Sequence, residues 1–175
     1  EKSRHLLRTT LINTYFAPEI HTRLVERGQM NAKAFQYSQD LLQKAKEKVV
    51  REVPDEAFSL AVRDQGFRRV IVTIYEHRCA FCGVRILTAD GHTAIEAAHI
   101  IPWSISRNDD PRNGLALCRL CHWSFDEGLV TLSDSYQIKI SPQLAAPDNL
   151  PGHLAAFARR PFLGPHDQTL WPFPA

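Results

Sequence analysis

The chain has 175 residues, of which 44% are hydrophobic, and a formal net charge of +2. This length suggests one domain or one domain with an appendage, and the composition excludes collagen-like, low-complexity and strongly disordered chains. No apolar run approaches the 18 residues of a membrane span, and no basic-then-apolar leader argues for secretion. We therefore expect a cytoplasmic protein with no membrane partner.

The basic residues are concentrated in the first part of the chain. Residues 1–78 carry 14 Lys and Arg against 10 Asp and Glu, whereas residues 79–175 carry 7 against 9. Arg supplies 15 of the 21 basic residues, and Arg makes forked contacts to phosphate that Lys does not make. On charge alone, an ordinary solvated surface is the simpler interpretation.

The N-terminal part of the chain is predicted to be helical. Apolar spacing and helix-start signals predict four helices, over residues 3–16, 18–27, 32–51 and 64–77. Gly28 is a plausible stop for the second helix, and Asn31 is a plausible cap for the third. Pro54 marks the break before the fourth helix, which leads directly into the first cysteine.

Short strands, one short helix and a proline-rich tail follow. Strands are predicted at 84–88 and 93–101, joined by a turn at 89–91, and the polar residues 104–112 predict a loop. A short helix from about 120 to 127 precedes a hairpin, and an extended tail wraps the surface. The prediction is an α+β protein in three segments: a helical region 1–63, a central domain 64–141 and a tail 142–175.

All four cysteines lie in the central domain, in two Cys-x-x-Cys pairs. Cys79, Cys82, Cys118 and Cys121 can supply the four thiolates of a tetrahedral zinc site. A full set of four protein ligands makes such a zinc structural. Disulfides are disfavoured because nothing argues for an oxidising compartment. Unligated buried cysteines and a redox pair are the alternatives.

A His, an Asn and a second His are interleaved with these pairs: His99, Asn113 and His122. His99 closes a Glu-Ala-Ala-His-Ile-Ile-Pro run, and Asn113 opens an Asn-Gly-Leu run that continues through Leu-Cys and Cys-His to Phe-Asp. With two flanking cysteine pairs, this pattern resembles the HNH endonucleases, and most closely their restriction-type branch. The resemblance covers about residues 67–140.

The resemblance implies a ββα-metal fold, with two strands, a loop and one helix, stapled by the four-cysteine zinc site. It also implies metal-dependent hydrolysis of DNA, which needs a base to activate water and a cation to offset charge on the phosphate. In the family's pattern His99 is the general base at the end of a strand. Asn113 braces the loop and orients that His. His122 binds a divalent ion, Mg²⁺ or Mn²⁺, from the start of the helix.

Two carboxylates are candidates for further ligands of that ion. Asp126 lies one helical turn after His122, where related nucleases often place a ligand; the alternative is a cap or a salt bridge. Many family members have Asp or His immediately before the base, but this chain has Ala98 there. Glu96 points to the same face of the strand as Ala98 and is long enough to reach the metal. Alternatively, Glu96 holds a neighbouring strand or His99 in place.

The remaining expectations concern partners. Arg107 and Arg112, on the loop between the base and the Asn, are candidates for contact with DNA phosphate, and ordinary loop charges are the alternative. The resemblance implies restriction of foreign or modified DNA in phage defence, with a modified-DNA reader domain before Glu1 in a longer chain. A double-strand cutter with one site per chain favours a homodimer. The rival functions are a catalytically inactive, zinc-containing DNA-binding module, which Ala98 supports, and a zinc-stabilised scaffold for protein partners.

Overall fold

The computed structural model describes residues 2–47 and 59–173. Within them the α-helices are α1 (Lys2–Tyr15), α2 (His21–Lys46), α3 (Leu60–Ile74), α4 (Trp103–Ser106) and α5 (Arg119–Asp126). The strands are β1 (Ile95–His99), β2 (Gly114–Cys118), β3 (Val130–Leu132) and β4 (Ile138–Ile140). The predicted α+β class, with a helical N-terminal region and small sheets, is confirmed. None of the described helices is both long and apolar enough to cross a membrane.

The helix α2 is continuous where two helices were predicted. It includes both Gly28 and Asn31, so the predicted helices at 18–27 and 32–51 are wrong as separate elements. One face of α2 is buried, through Ala34, Tyr37 and Leu41 among others, and it packs on α3. Burial of this long face outweighs one Gly, which costs only about 0.5–1 kcal/mol inside a helix. The predicted helix end near 51 and the break at 54 lie outside the described residues.

The helix α3 is central to the fold. It begins at Leu60 and ends at Ile74, so it is shifted towards the N-terminus relative to the predicted 64–77. Its apolar face, which includes Phe67 and Ile71, is buried as the spacing predicted. After the helix, Glu76 and His77 have φ angles of 55° and 59°. These two left-handed residues turn the chain out of the helix and towards the first cysteine.

The antiparallel pair next to the cysteines is β1 with β2, in a register that aligns Ile95 with Cys118 and His99 with Gly114. The strand predicted at 84–88 is wrong, because only a single bridge, between Leu87 and Thr93, forms there. The carbonyl of Val84 accepts from the N–H of Cys79 in the first cysteine pair, while Ile86 and Thr88 form single backbone hydrogen bonds with Ala94 and His92. The long loop therefore lies between the two strands of the pair, and α5 follows directly to complete a ββα unit.

The hairpin β3–β4 forms as predicted, and the tail is bound to it. Phe162 donates its backbone N–H to the carbonyl of Tyr136 at 3.0 Å, and its ring stacks on the Tyr136 ring with centroids 5.4 Å apart. Trp171 contacts both of these rings edge-on. One residue after Phe162, the N–H of Leu163 donates to the carbonyl of Ala80 at 2.8 Å. The tail therefore runs from the hairpin to the first cysteine pair.

One hydrophobic core joins the three predicted segments. Its members include Leu41 from α2, Ile71 from α3, Leu115 from β2, and Leu144 and Phe162 from the tail. The boundary predicted between residues 63 and 64 falls inside α3. The division into three domains stays a prediction, and the packing of the central domain depends on side chains from both other segments.

Candidate functional site

The four cysteine side chains converge on one point. Their sulfur atoms all lie within 4.8 Å of one another, and the sulfurs of Cys82 and Cys118 are 3.7 Å apart. A tetrahedral zinc with Zn–S bonds of about 2.3 Å requires sulfurs about 3.8 Å apart. All four cysteines are free of disulfides. The cluster fits a single metal ion.

Backbone hydrogen bonds shape the first cysteine pair. The N–H of Cys79 donates to the carbonyl of Val84 at 2.9 Å, and the N–H of Gly83 donates to the carbonyl of Cys79 at 3.0 Å. Gly83 has a φ of 75°, a conformation that favours glycine. The N–H of Ala80 donates to the carbonyl of Ala116 in β2 at 2.7 Å. This last bond fixes the cysteine cluster relative to the β1–β2 pair.

His99, the last residue of β1, is held in two directions. Its ring stacks face to face on Phe67 of α3, with centroids 3.8 Å apart and an interplanar angle of 7°. Its Nε2 lies 3.0 Å from Oδ1 of Asp109, in the loop between the strands. A flat stack fixes the plane of a ring, and a hydrogen bond within that plane fixes its rotation. His99 is therefore oriented before any ligand arrives.

Asp109 is a site residue that the sequence did not single out. It is only 4% exposed, and its Oδ2 accepts hydrogen bonds from the Tyr37 hydroxyl at 2.8 Å and from Nη2 of Arg63 at 2.6 Å. Burial alone would raise the pKa of this carboxyl, but the bonds with His99, Tyr37 and Arg63 outweigh burial and lower it. Asp109 is therefore an ionised hydrogen-bond acceptor. The only local signal was the polar Asn-Asp-Asp-Pro run before Asn113.

Gly114 makes room for the His99 stack. A Cβ on this residue would lie 2.4 Å from Cδ1 of Ile71 and 2.9 Å from Cζ of Phe67. The φ of Gly114 is −133°, which any residue adopts, so the reason for glycine is close packing and not backbone conformation. The Gly of the Asn-Gly-Leu run lets β2 approach α3 directly opposite His99.

Asn113 ties the loop to the strands. Its Nδ2 donates to the carbonyls of Ile101 at 3.1 Å and Asn108 at 3.0 Å, and its Oδ1 accepts from the N–H of Ile101 at 2.9 Å. Its backbone carbonyl accepts from the N–H of Ile100 at 2.8 Å. Asn113 thus joins the two ends of the loop that carries Asp109. Its geometry is that of a loop brace.

His122, in the first half of α5, lies between two carboxylates. Its Nδ1 is 3.1 Å from Oε2 of Glu96 on β1, and its Nε2 is 3.5 Å from Oδ2 of Asp126 one turn later. Glu96 also accepts a hydrogen bond from Nε of Arg119 at 3.2 Å. Burial would raise the pKa of Glu96, but its bonds to His122 and Arg119 lower it. Glu96 and Asp126 are therefore on opposite sides of the same imidazole ring.

The predicted residues fall into two groups on the two faces of β1. Glu96 contacts α5, whereas His99 contacts α3. Residues three apart on a strand point to opposite faces and are separated by about 10 Å along the strand. Ala98, on the Glu96 face, is 2% exposed and offers no ligand atom. The two groups therefore lie on opposite faces of β1.

The two loop arginines differ in environment. Arg107 is exposed, with a φ of 51°, and its guanidinium lies 4.4 Å from the centre of the Trp103 ring. Arg112 is 6% exposed and forms a forked pair with Asp110, at 2.8 Å and 2.6 Å. The other face of Arg112 covers the Phe173 ring at 4.4 Å. The charge of Arg112 is compensated inside the protein, while Arg107 is presented to solvent.

Matches to known proteins come from solved structures and from one family model. No curated protein matches the chain by sequence. Three chains among the solved structures match, and one of them is a protein described as "Modification dependent TagI restriction endonuclease". It shares 23% identity with this chain, at a TM-score of 0.40, and the match covers 57% of this chain and 30% of that one.

A protein-family model described as "HNH endonuclease" matches residues 79–133. The matched segment starts at the first cysteine and contains the cysteine cluster, the β1–β2 pair and α5. It also contains both histidines and the Asn of the predicted signature. Residues 79–133 of this chain therefore match the HNH endonuclease family.

Proposed function

We propose that this protein is a metal-dependent endonuclease that hydrolyses phosphodiester bonds in DNA. The observation that carries the proposal is the environment of His99 inside the HNH segment. Its ring is fixed by the Phe67 stack and by one hydrogen bond through Nε2. The second ring nitrogen, Nδ1, can then accept a proton from water. The ring is partly exposed at the end of β1. A histidine held for packing alone does not need this arrangement.

His99 acts as the general base in this proposal. It accepts the proton of the attacking water, and its fixed ring spares the reaction the cost of orienting the base. Asn113 keeps the loop between the strands closed over the base. Its bonds to both ends of that loop support this role.

The proposal includes two metal ions with different roles. Zn²⁺ in the cluster of four cysteines would be structural, because four thiolates would leave no position for substrate. His122, through Nε2, and Asp126 would hold a catalytic Mg²⁺ or Mn²⁺, which would offset charge on the phosphate and the leaving oxygen. Glu96 lies on the Nδ1 side of His122. Its role is to orient His122 and raise its basicity, as carboxylates behind metal-binding histidines commonly do.

Arg107 contacts DNA phosphate in this proposal. It is exposed on the loop that follows the base, and its stack on Trp103 limits the side-chain freedom lost on binding. We assign Arg112 a structural role, because Asp110 already neutralises its charge. Replacing Arg107 should weaken binding to all DNA sequences alike and reduce its salt dependence.

The biological setting is part of the same proposal. The sequence resemblance to restriction-type nucleases supports restriction of foreign or modified DNA in phage defence, with a separate reader domain for the modification. One catalytic site per chain supports a homodimer for double-strand cleavage. Sedimentation of the protein with and without DNA tests the oligomeric state.

The test of the proposed function is cleavage of supercoiled plasmid, modified and unmodified, by the zinc-loaded protein. Cleavage should require added Mg²⁺ or Mn²⁺, stop with EDTA, and be lost in His99→Ala. The exposed His92 gives a matched control, because His92→Ala removes the same side chain away from the site. The ratio of nicked to linear product reports how many strands are cut. No cleavage of either plasmid by the wild-type protein, with either metal, would refute the proposal.

One observation favours a second candidate function, a DNA-binding module without catalysis. Ala98 occupies the position of a usual metal ligand, and the two carboxylates lie on opposite sides of His122. Such a module would bind DNA in a salt-dependent way and keep that binding in His99→Ala. The cleavage assay and a filter-binding assay on the same variants separate the two functions.

A further inference from the structure

We propose that Asp109 is a positioning residue that fixes the proton of His99 on Nε2, so that Nδ1 is the atom that accepts the proton of water. We further propose that Tyr37 of α2 and Arg63 of α3 hold Asp109 in place, which makes the N-terminal helices part of the active site. The inference rests on the proposed function for its consequence in catalysis. Its structural content, the tautomer of His99, can be measured without cleavage.

The inference rests on the different hydrogen-bond partners of the two carboxylate oxygens of Asp109. Oδ1 faces Nε2 of His99 at 3.0 Å, while Oδ2 receives Tyr37 at 2.8 Å and Arg63 at 2.6 Å. An ionised carboxylate only accepts hydrogen bonds, so the nitrogen that faces it must carry the hydrogen. A neutral imidazole then has its lone pair on the other nitrogen. Asp109 therefore selects the tautomer as well as the orientation.

The surroundings keep Asp109 in its acceptor state. Arg63 supplies a compensating positive charge, with both side chains less than a tenth exposed. Tyr37 is a donor throughout the working pH range, because burial raises the pKa of its hydroxyl to about 12. Arg63 in turn lies 4.6 Å from the centre of the Trp103 ring, which also carries Arg107. The network therefore extends from the helices to the exposed loop.

The residues of this network are far apart in the sequence and come together only in the folded chain. Asp109 is 72 residues from Tyr37 and 46 residues from Arg63. Neither helical residue lies in the segment 79–133 that matches the HNH model. The helices do more than flank the nuclease unit, since they hold the carboxylate that orients its base.

The substitution Asp109→Asn gives a sharp test, because the network dictates how the amide must sit. Tyr37 and Arg63 both donate, so the amide oxygen must take the Oδ2 position and the NH₂ group must face His99. An NH₂ donor forces Nε2 to become the acceptor and moves the proton to Nδ1. The variant should therefore carry the opposite tautomer and lose the base atom. The expected fall in kcat is on the order of 100-fold or more.

Asp110→Asn is the matched control. Asp110 is the next residue, is equally buried, and bonds Arg112 instead of the histidine. This variant should be less stable than wild type but keep kcat within about threefold under conditions where it is folded. Tyr37→Phe removes one donor to Oδ2 and should reduce kcat less than Asp109→Asn.

The decisive measurement is the tautomer of His99, because a merely structural role of Asp109 would leave that tautomer unchanged. Nitrogen-15 NMR of histidine-labelled, zinc-loaded protein, at a pH where the ring is neutral, distinguishes protonated Nδ1 from protonated Nε2. The His99→Ala spectrum assigns the resonance. We expect Nε2–H in wild type and Nδ1–H in Asp109→Asn.

Each outcome is decisive. The inference is overturned if wild-type His99 carries its proton on Nδ1, if Asp109→Asn keeps the wild-type tautomer, or if it keeps wild-type kcat. It is also overturned if Asp110→Asn loses as much activity per folded molecule, since both residues would then act only through the loop. If the wild-type protein cuts no DNA, the proposed function fails, and the tautomer measurement still decides the role of Asp109.

Discussion

Gly114→Ala tests whether close packing behind His99 is what the Asn-Gly-Leu run provides. The added Cβ would lie 2.4 Å from Cδ1 and 2.9 Å from Cγ1 of Ile71, and 2.9 Å from Cζ of Phe67. All three distances are shorter than van der Waals contact, and all three atoms belong to buried side chains. Phe67 is also the ring on which His99 stacks.

The expected cost is about 1–3 kcal/mol in the free energy of unfolding, the usual range for overpacking a core. Relief of the clash must push Ile71 or Phe67 towards the core or β2 away from α3. Movement of Phe67 disturbs the His99 stack. We therefore expect the variant to lose cleavage activity in addition to stability, even though Gly114 contacts no substrate.

A second substitution makes the reasoning specific. Ile71→Val removes Cδ1, the atom 2.4 Å from the new methyl group. Alone it should cost about 0.5–1.5 kcal/mol. Combined with Gly114→Ala it should cost less than the sum of the two single substitutions, because it removes the shortest of the three contacts, which gives a favourable coupling of about 1 kcal/mol between the two sites.

Gly28→Ala is the control for glycine replacement itself. Its Cβ would meet only Nη1 of Arg8, at 3.7 Å, in the middle of α2. This variant should be more stable than wild type by about 0.5–1 kcal/mol. Urea unfolding of the zinc-loaded proteins measures all four variants. A Gly114→Ala protein as stable as wild type, or one that Ile71→Val does not rescue, would refute the packing argument.

Three further predictions concern the metal sites and the buried network. Cys82→Ser should abolish stoichiometric zinc by elemental analysis and lower the melting temperature sharply, because zinc binding and folding are coupled. Glu96→Gln should weaken calorimetric affinity for the catalytic ion by about 10–100-fold without changing the zinc content, since the carboxylate behind His122 is lost. Burial raises the pKa of Tyr37 to about 12, so the stability that its neutral hydroxyl contributes is complete below pH 10 and lost as pH rises towards 12. In unfolding curves, wild type should therefore lose about 2 kcal/mol of the free energy of unfolding over this range that Tyr37→Phe does not lose.

Local spacing was enough to predict the cysteine cluster and the short helix after it. Two Cys-x-x-Cys pairs each bring two sulfurs together, and a tetrahedral ion has one obvious way to use both. The contact between His122 and Asp126 also followed from helical periodicity, since the two residues are one turn apart. In both cases the contacting residues are either close in sequence or expected to share one metal ion.

The errors arose where tertiary packing overrode local signals. Gly28 and Asn31 are good stop and cap residues, yet the face that α2 buries against α3 carries the helix through both. Residues 84–88 were predicted as a strand, but the carbonyl of Val84 accepts from Cys79 and only a single bridge joins Leu87 to Thr93. The strand partner of β1 is β2, on the far side of the long loop and beyond any local pattern.

The role of Asp109 could not be predicted from the sequence for a related reason. Its importance depends on Tyr37 and Arg63, which approach it only after α2 and α3 have packed. One aspartate in a polar loop resembles any other until the fold shows which one is buried. Asp110, its neighbour, has the same residue type and a different partner.

The path of the C-terminal tail bears on how this protein could be recombined with other proteins. The Leu163 N–H donates to the Ala80 carbonyl, and the Leu163 side chain lies 3.1 Å from where a Cβ of Gly83 would be. A fragment limited to the matched segment, residues 79–133, would lack these tail contacts and the helical residues that bond Asp109. A portable version of the folded unit must run from the start of α2 to beyond residue 171. Domain shuffling, natural or engineered, would have to move this whole block as one piece.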